Sequence, residues 1–493
     1  MYVTAVKRAS LIALLSFSLT SNSYAQQGET AAKANPTVPE AVTITVVPGA
    51  RQTFQGFGTS LGNWGGEYQK LQPVERMALS RLLWHDLKFK ILRLWFNTDQ
   101  YAPERGGHNL QQFRKNYVDS RIIADAKQQG ATTLLLAPDG LPPYMKEKRA
   151  DGGLQLKESE VANYADLLAD FIQRLKDETG VLLDVTGVQN EPNDNERFTP
   201  QQIVEVVKYL RTALDARGLN TVKIIAPEHA SADAVLYDSV DKLKADNAAW
   251  QVLSGVASHS YNMAATNEIA QRVAGTSKAY WMTEASDNGP EEPGDAVRAT
   301  SLASRFLNDM NHRVTHWIHF LGFEVPDPKD NATRIMSFTP NPLHPTLFQK
   351  YFYYQQLSNT FDVGAVFRQS QSSLEGDMIY TYGKKPRLTV AAARNPDGSW
   401  GIGLSNFTAP QFSDATKTGK WEIDQGGYAA HTFKVTVRIE ELAKLDRMMW
   451  QRHRSSATAQ NANVGTVIMH NGEVTVEVSP LELLTLRSQP VAQ

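Results

Sequence analysis

The stretch LLDVTGVQNEP, residues 182–192, decides the fold. Apolar residues run up to Val188, polar Gln189 and Asn190 follow, and a carboxylate, Glu191, then stands directly before a proline. A short apolar run ending in a polar turn is the trace a buried strand leaves in sequence. A carboxylate at its exit is expensive unless its surroundings use it. Seven more runs of the same form occur: FQGFGTS (54–60), KILRLWF (90–96), TTLLLAP (132–138), VKIIAP (222–227), LSGVASHSY (253–261), KAYWMTE (278–284) and VTHWIHFLG (314–322). Segments with helical spacing separate them. In VANYADLLADFIQRLK the set Val161, Tyr164, Leu168, Phe171, Ile172 and Leu175 falls on one helical face. Thr199-Pro200-Gln201-Gln202 reads as a capping box with Pro in the first turn, ahead of Ile203, Val207, Leu210 and Leu214 and a stop at Gly218. Strand–helix alternation repeated eight times predicts a closed (β/α)8 TIM barrel over 54–360. A doubly wound open sheet fits less well, because no Gly-rich phosphate loop opens a helix after the first strand.

Both flanks differ from this rhythm. Lys7 and Arg8, the apolar run LIALLSFSL and the small residues up to Ala25 have the layout of a signal peptide over 1–25, and residues 26–40 read as a flexible tether. The expected location is secreted or periplasmic. No later run approaches the roughly 18 apolar residues of a spanning helix. After PTLFQKYFYYQQLSNTF the chain turns to strands: MIYTYG, RLTVAAARNPDGSWGIGLSNFT, KVTVRIEEL, TVIMHNGEVTVEV and LLTLRS, with NPDGS (395–399) and HNG (470–472) as hairpin turns. This predicts an all-β sandwich over 361–493. The early strand VTITVV, within 41–53, has no helix after it and is expected to join that sandwich and clamp the two parts together.

Composition narrows the chemistry. With no Cys, neither disulfides, thiolate metal sites nor a Cys nucleophile exist. The balance of 50 basic against 52 acidic residues points to no nucleic acid or anionic membrane. Nine Trp and seventeen Tyr are compatible with sugar stacking, although core packing explains such numbers equally well.

In a parallel barrel the strands' C-terminal ends form the active face, so polar residues just past each apolar run are the candidates. Glu191 passes on strand four and Glu284 on strand seven, across the mouth from one another. Such a carboxyl pair is what glycosidic cleavage requires. Each alone has a plainer explanation as a helix cap, but neither is followed immediately by a helix. Asp139, Glu228 and Glu324, after strands three, five and eight, are expected to line the same mouth as substrate contacts or caps. Arg93 lies inside an apolar run and needs a buried partner, either a carboxylate of the mouth or a structural one. In HWIH, His316 and His319 are three apart and point to opposite faces, and His259 has no partner at ligand spacing. No metal and no cofactor are expected.

These residues resemble glycoside hydrolase family 30, a family of clan A retaining β-glycosidases. Asn190-Glu191-Pro192, QGFGTS (55–60), LPPYMK (141–146) and WMTEAS (281–286) carry the likeness, which covers roughly residues 41–490. The resemblance implies Glu191 as acid/base and Glu284 as nucleophile. It also implies Asn190 on the sugar 2-hydroxyl, Tyr261 on the nucleophile, Arg93 holding it ionised, and Trp317 as the stacking floor; Trp64, His259, Asp139 and Glu228 stand beside these as further candidate substrate contacts. The β-1,6-galactanase group is nearest through GFGTSL and PPYM, with Asn63-Trp64 where that group has a Trp pair. APD (137–139) replaces the SPW of the glucosylceramidase type, and after strand eight only Arg334 is offered for reading a glucuronate branch. The expected substrate is a β-linked polysaccharide or oligosaccharide. The rival readings are another family 30 specificity, a carbohydrate-binding protein on a retired barrel, and a metal-dependent hydrolase.

Overall fold

The computed structural model describes residues 38–61, 66–194, 196–261, 263–374, 378, 386–408 and 429–490. The proposed leader, Asn63-Trp64 and all of MIYTYG except Met378 lie outside them. Eight parallel strands close into a barrel. In chain order they are Gly56–Leu61, Ile91–Asn97, Thr133–Asp139, Val185–Thr186, Lys223–His229, Leu253–His259, Ala279–Ala285 and His316–His319, numbered one to eight below. Each overlaps one of the eight apolar runs, and five of them continue one or two residues past its end. The helices follow their sequence signals. Val161–Thr179 buries all six predicted apolar positions, and Pro200–Ala216 starts on a reciprocal Thr199/Gln202 capping box.

The barrel interior is a packed layer rather than a pore. Ile91, Leu135, Val185, Ile225, Ala257, Trp281 and Ile318 form a separate apolar cluster, one residue from each of strands two to eight. Strand one contributes Gly58, where a Cβ would stand 2.5 Å from the Ile91 carbonyl oxygen, so the wall closes only around a glycine. Apolar residues of the outer barrel face and the helices make the larger surrounding core.

Nine further strands form one sheet that shares a second core, and two small three-stranded sheets stand apart from it. Glu40–Val47 is an interior strand of it. It runs antiparallel to Val366–Ser372 and parallel to Phe433–Ile439, and it turns Val42, Ile44 and Val46 inward. The expected clamp therefore exists, with the first described strand built into the sheet formed by the C-terminal part of the chain. NPDGS joins the antiparallel pair Leu388–Arg394 and Trp400–Asn406 as a hairpin. HNG does not: Ala462–Met469 and Glu473–Val478 are the two opposite edges of the sheet, joined across the turn by the single bridge His470–Glu473. The alternation on both sides of a turn is the same for a hairpin and for a crossing between layers, so sequence does not separate them.

Helix Ala296–Asn311 lies between barrel and sheet and is buried along nearly its whole length. Its Asn311 donates to Val390 O at 2.7 Å and accepts from Ser370 N–H at 3.2 Å. Gly403 lets the sheet approach this closely, since a Cβ there would lie 2.7 Å from Leu307.

Ile44 is fully buried on an interior strand of the sheet. Ile44→Ala is expected to lower unfolding free energy by about 2–5 kcal/mol, read from denaturant unfolding. A loss well below this range would contradict a packed interior strand.

Candidate active site

The site is assembled where the ladders become irregular. Beyond Thr186, strand four divides its backbone bonds between two neighbours. Gly187 and Asn190 N–H donate to Leu136 O and Pro138 O on strand three, and Glu191 N–H donates to Glu228 O on strand five at 3.1 Å. Glu191 and Glu228 both hold positive φ, 47° and 63°. Non-glycine residues there carry strain of about 1–3 kcal/mol, which the surrounding bonds must hold in place. Register shifts on both sides of strand six, between Ala257 and Ser258 and between Ser258 and His259, mark bulges that re-aim side chains at the mouth.

Arg93 is the centre of the result. It is wholly buried directly above the apolar layer. Its Nη1 donates to Glu284 Oε2 at 2.7 Å, and its Nη2 to Asn190 Oδ1 at 2.8 Å and Glu228 Oε1 at 3.4 Å. Tyr261 O–H donates to the other Glu284 oxygen, Oε1. His259 Nδ1 is 2.9 Å from Glu191 Oε1, and its Nε2 is 3.5 Å from Arg93 Nη2. Burial pushes the His259 pKa down to about 3, with Glu284 opposing and Arg93 reinforcing the shift, so the ring is neutral. Arg93 has only N–H donors, so Nε2 faces it as the acceptor and Nδ1–H donates to Glu191. Glu191, Glu284 and His259 each offer an atom within 4.8 Å of the others'.

Three carboxyls are pushed toward protonation. Glu191 rises to about 7, first through burial and then through the charge of Asp194, with Arg93 opposing. Asp139 also rises to about 7, through burial and then Glu191 and Asp99. Glu228 reaches about 7 by burial, against Arg93 and a hydrogen bond from Thr283. Neighbouring carboxyls in a poorly solvated site cannot all ionise freely.

Arg93, Asn190, Glu191, Tyr261, His259 and Glu284 come together, and Asp139 adjoins them, accepting from Asn190 Nδ2 at 3.4 Å. Other assignments change. Glu228 is not at the mouth but beneath it, with no exposure, because the bulged end of strand five turns it inward. Its contacts are with Arg93 and Thr283, below the open mouth. Trp317 is not a stacking floor. It points out of the barrel wall, fully buried among Phe57, Phe306 and Tyr354, with its Nε1 donating to Asp309 at 2.8 Å. Trp64 lies outside the described residues. Glu324 is half-buried and accepts from Arg334 Nη2 at 3.3 Å, while Arg334 Nη1 is taken by Val325 O. Sequence reasoning missed Trp95, two residues beyond Arg93 on the same strand face, which keeps 8% exposure and meets the Phe320 ring at 5.7 Å.

The histidines divide as strand geometry requires. His316 stacks on Trp281 inside the barrel at 3.3 Å, and outside it His319 is within hydrogen-bond distance of Tyr354 Oη and Thr333 O. His259 differs from the sequence expectation: its partners at ligand distance arrive from strands four and seven, not from its own neighbourhood. Glu191, His259 and Glu284 are a donor set that could face a metal ion. Arg93 is already bonded to Glu284 on this cluster, so a cation there would meet a fixed positive charge.

Gly187 is the constraint beneath this arrangement. A Cβ there would lie 1.7 Å from Glu228 Oε2, and that carboxyl is held between Arg93 and Thr283. Gly187→Ala is expected to displace Glu228, lowering both thermal stability and turnover. An unchanged melting temperature together with unchanged turnover would show that the carboxyl has room to move.

The sequence matches the model of glycosyl hydrolase family 59 over residues 108–331. No curated protein matches the chain at the sequence level. Among solved structures it is similar to the catalytic domain of the family 30 xylanase C from Talaromyces cellulolyticus, with 16% identity, a TM-score of 0.67, and coverage of 91% of this chain and 100% of that one. It is also similar to a family 30 subfamily 8 xylanase from Clostridium acetobutylicum, with 19% identity, a TM-score of 0.64, and 91% and 99% coverage. An endo-β-1,6-glucanase follows, with 18% identity, a TM-score of 0.63, and 91% and 94% coverage. At these identities the likeness is one of fold, a (β/α)8 barrel carrying a β-sheet domain.

Proposed function

We propose that this chain is a retaining glycoside hydrolase that cleaves β-linked polysaccharide or oligosaccharide by double displacement. The observation that carries the reading is the approach of Glu191 and Glu284 oxygens to within 4.8 Å. Retaining enzymes hold their carboxyls about 5–5.5 Å apart, whereas inverting ones need about 6.5–9.5 Å to admit a water. The xylanase and glucanase activities named for the structural neighbours, together with the family 59 match and the family 30 motifs, support a β-glycan as substrate. A β-1,6-galactan is the specific candidate that the GFGTSL and PPYM segments suggest. The leader-like first 25 residues support export to the periplasm or medium.

The roles follow from the contacts. Glu284, fixed by Arg93 and Tyr261, attacks the anomeric carbon, and the bond from that carbon to the leaving oxygen breaks. Glu191 gives that oxygen its proton. A water then attacks the same carbon, Glu191 takes the water's proton, and Glu284 is released. Asn190 has its carbonyl bound to Arg93, which turns its amide N–H groups toward the mouth as donors for a sugar hydroxyl. Trp95 and Phe320, rather than Trp317, offer the aromatic surface.

Azide separates the two roles. Glu284→Ala is expected to lose turnover, and azide should restore it with a glycosyl azide of inverted configuration, because only one displacement remains. Glu191→Ala is expected to lose roughly 10²–10⁴-fold on poor leaving groups. Azide should then give the retained product by intercepting the covalent intermediate. Near-normal cleavage by Glu284→Ala, or the opposite stereochemical outcomes, would overturn the assignment.

The acid must be protonated for the first step, so activity is expected to fall as pH rises through about 7, the value to which Glu191 is raised. Asp194 contributes to that elevation. Asp194→Asn should therefore lower the Glu191 pKa and move the alkaline limb of the kcat/KM profile to lower pH. A limb that stays in place or moves upward would remove Glu191 from the acid role.

A further inference from the structure

We infer that the cleft takes uncharged glycans, with Asp139 selecting them by accepting hydrogen bonds from sugar hydroxyls, and that it turns away chains presenting a uronate at this subsite. The inference rests on the glycosidase reading above and deepens it.

The charge layout at the mouth carries it. Asp139 stands half-exposed at the end of strand three, with Asn190 Nδ2 at 3.4 Å and Asp99 and Glu191 as its charged neighbours. Among the described residues, the cation bonded to this cluster is Arg93, which is fully buried and already committed to Glu284, Asn190 and Glu228. Arg334, the cation that sequence offered for an acidic branch, is 4% exposed and tied to Val325 O and Glu324. A uronate entering here would therefore meet carboxyls from several strands and, in Arg93 and Arg334, guanidinium groups already committed elsewhere. Like charges juxtaposed across a binding surface are a strong means of rejecting a partner. The crowding is felt by Asp139 itself, which burial first and then the charges of Glu191 and Asp99 raise to about 7. A carboxylate acceptor beside an amide donor is, by contrast, well matched to the hydroxyls of a neutral sugar, each of which both donates and accepts.

The test uses the whole chain and matched glycans. Glucuronoxylan and glucuronate-capped β-1,6-galactan are each compared with their carboxyl-reduced forms, with β-1,6-glucan as an uncharged glycan, and kcat/KM is measured from released reducing ends. The expected result is cleavage confined to uncharged glycans, or a preference of roughly tenfold or more for the reduced member of whichever pair is cleaved. Asp139→Asn should narrow that preference. Equal or faster cleavage of a uronate-bearing member overturns the inference while leaving the glycosidase assignment standing. An Asp139→Asn preference equal to the parent's removes Asp139 as the selecting group. Hydrolysis of no glycan in the panel overturns the glycosidase reading together with this one.

Discussion

A guanidinium with no solvent exposure sits in the middle of this barrel, and the active face is organised by what that charge requires. Burying an ion costs several kcal/mol, and only well-placed partners offset it. Arg93 lies one position above the dry layer that contains Ile91, so its partners can come only from the strand ends around it. Glu284, Asn190, Glu228 and Ser60 lie within reach of its two terminal nitrogens, from strands seven, four, five and one. The nucleophile candidate and the residue before the acid candidate are thus held by the same cation. Their relative position follows from one side chain rather than from two independent loops.

Much of this was legible because barrel strands advertise themselves. Eight apolar runs ending in polar residues named the strands, their order and the face on which Glu191 and Glu284 emerge. Arg93 was visible as a charge where an apolar residue belongs. What failed did so through side-chain parity. On strand eight, Ile318 faces the lumen, so Trp317 must face outward, and the residue on the lumen side of the mouth is Phe320. Counting two from Arg93 reaches Trp95 by the same rule. A resemblance between motifs transfers residue types more readily than it transfers register.

Parity alone would also have misplaced Glu284. Ala279 and Trp281 face the lumen, which puts even-numbered residues of strand seven outside. A register shift between strands six and seven brings Glu284 opposite His259 and turns it inward. Glu228 reaches its position by a similar irregularity on strand five. Bulges and left-handed residues have no period and no composition of their own, so nothing in the sequence around APEH or WMTEA announces them. The strain at Glu191 and Glu228 is mutual, since one residue's N–H is bonded to the other's carbonyl, and neither can relax alone.

The β-sheet domain has a physical part in this precision. The chain leaving Glu284 is held by Arg305, which donates to Ser286 O at 3.0 Å and to Asp287 at 2.8 Å, and by the buried Lys350–Glu291 pair at 2.6 Å. Arg305 belongs to helix Ala296–Asn311, whose other side meets the sheet through Ser304, Leu307 and Asn311. A barrel helix with solvent behind it can shift by fractions of an ångström, whereas one packed between two cores has no free side on which to move. Sites of this kind tolerate errors of only about 0.5 Å. The strand Glu40–Val47 belongs to that backing sheet from the opposite end of the chain, so a segment far in sequence from both candidate catalytic carboxyls helps to fix where Glu284 stands.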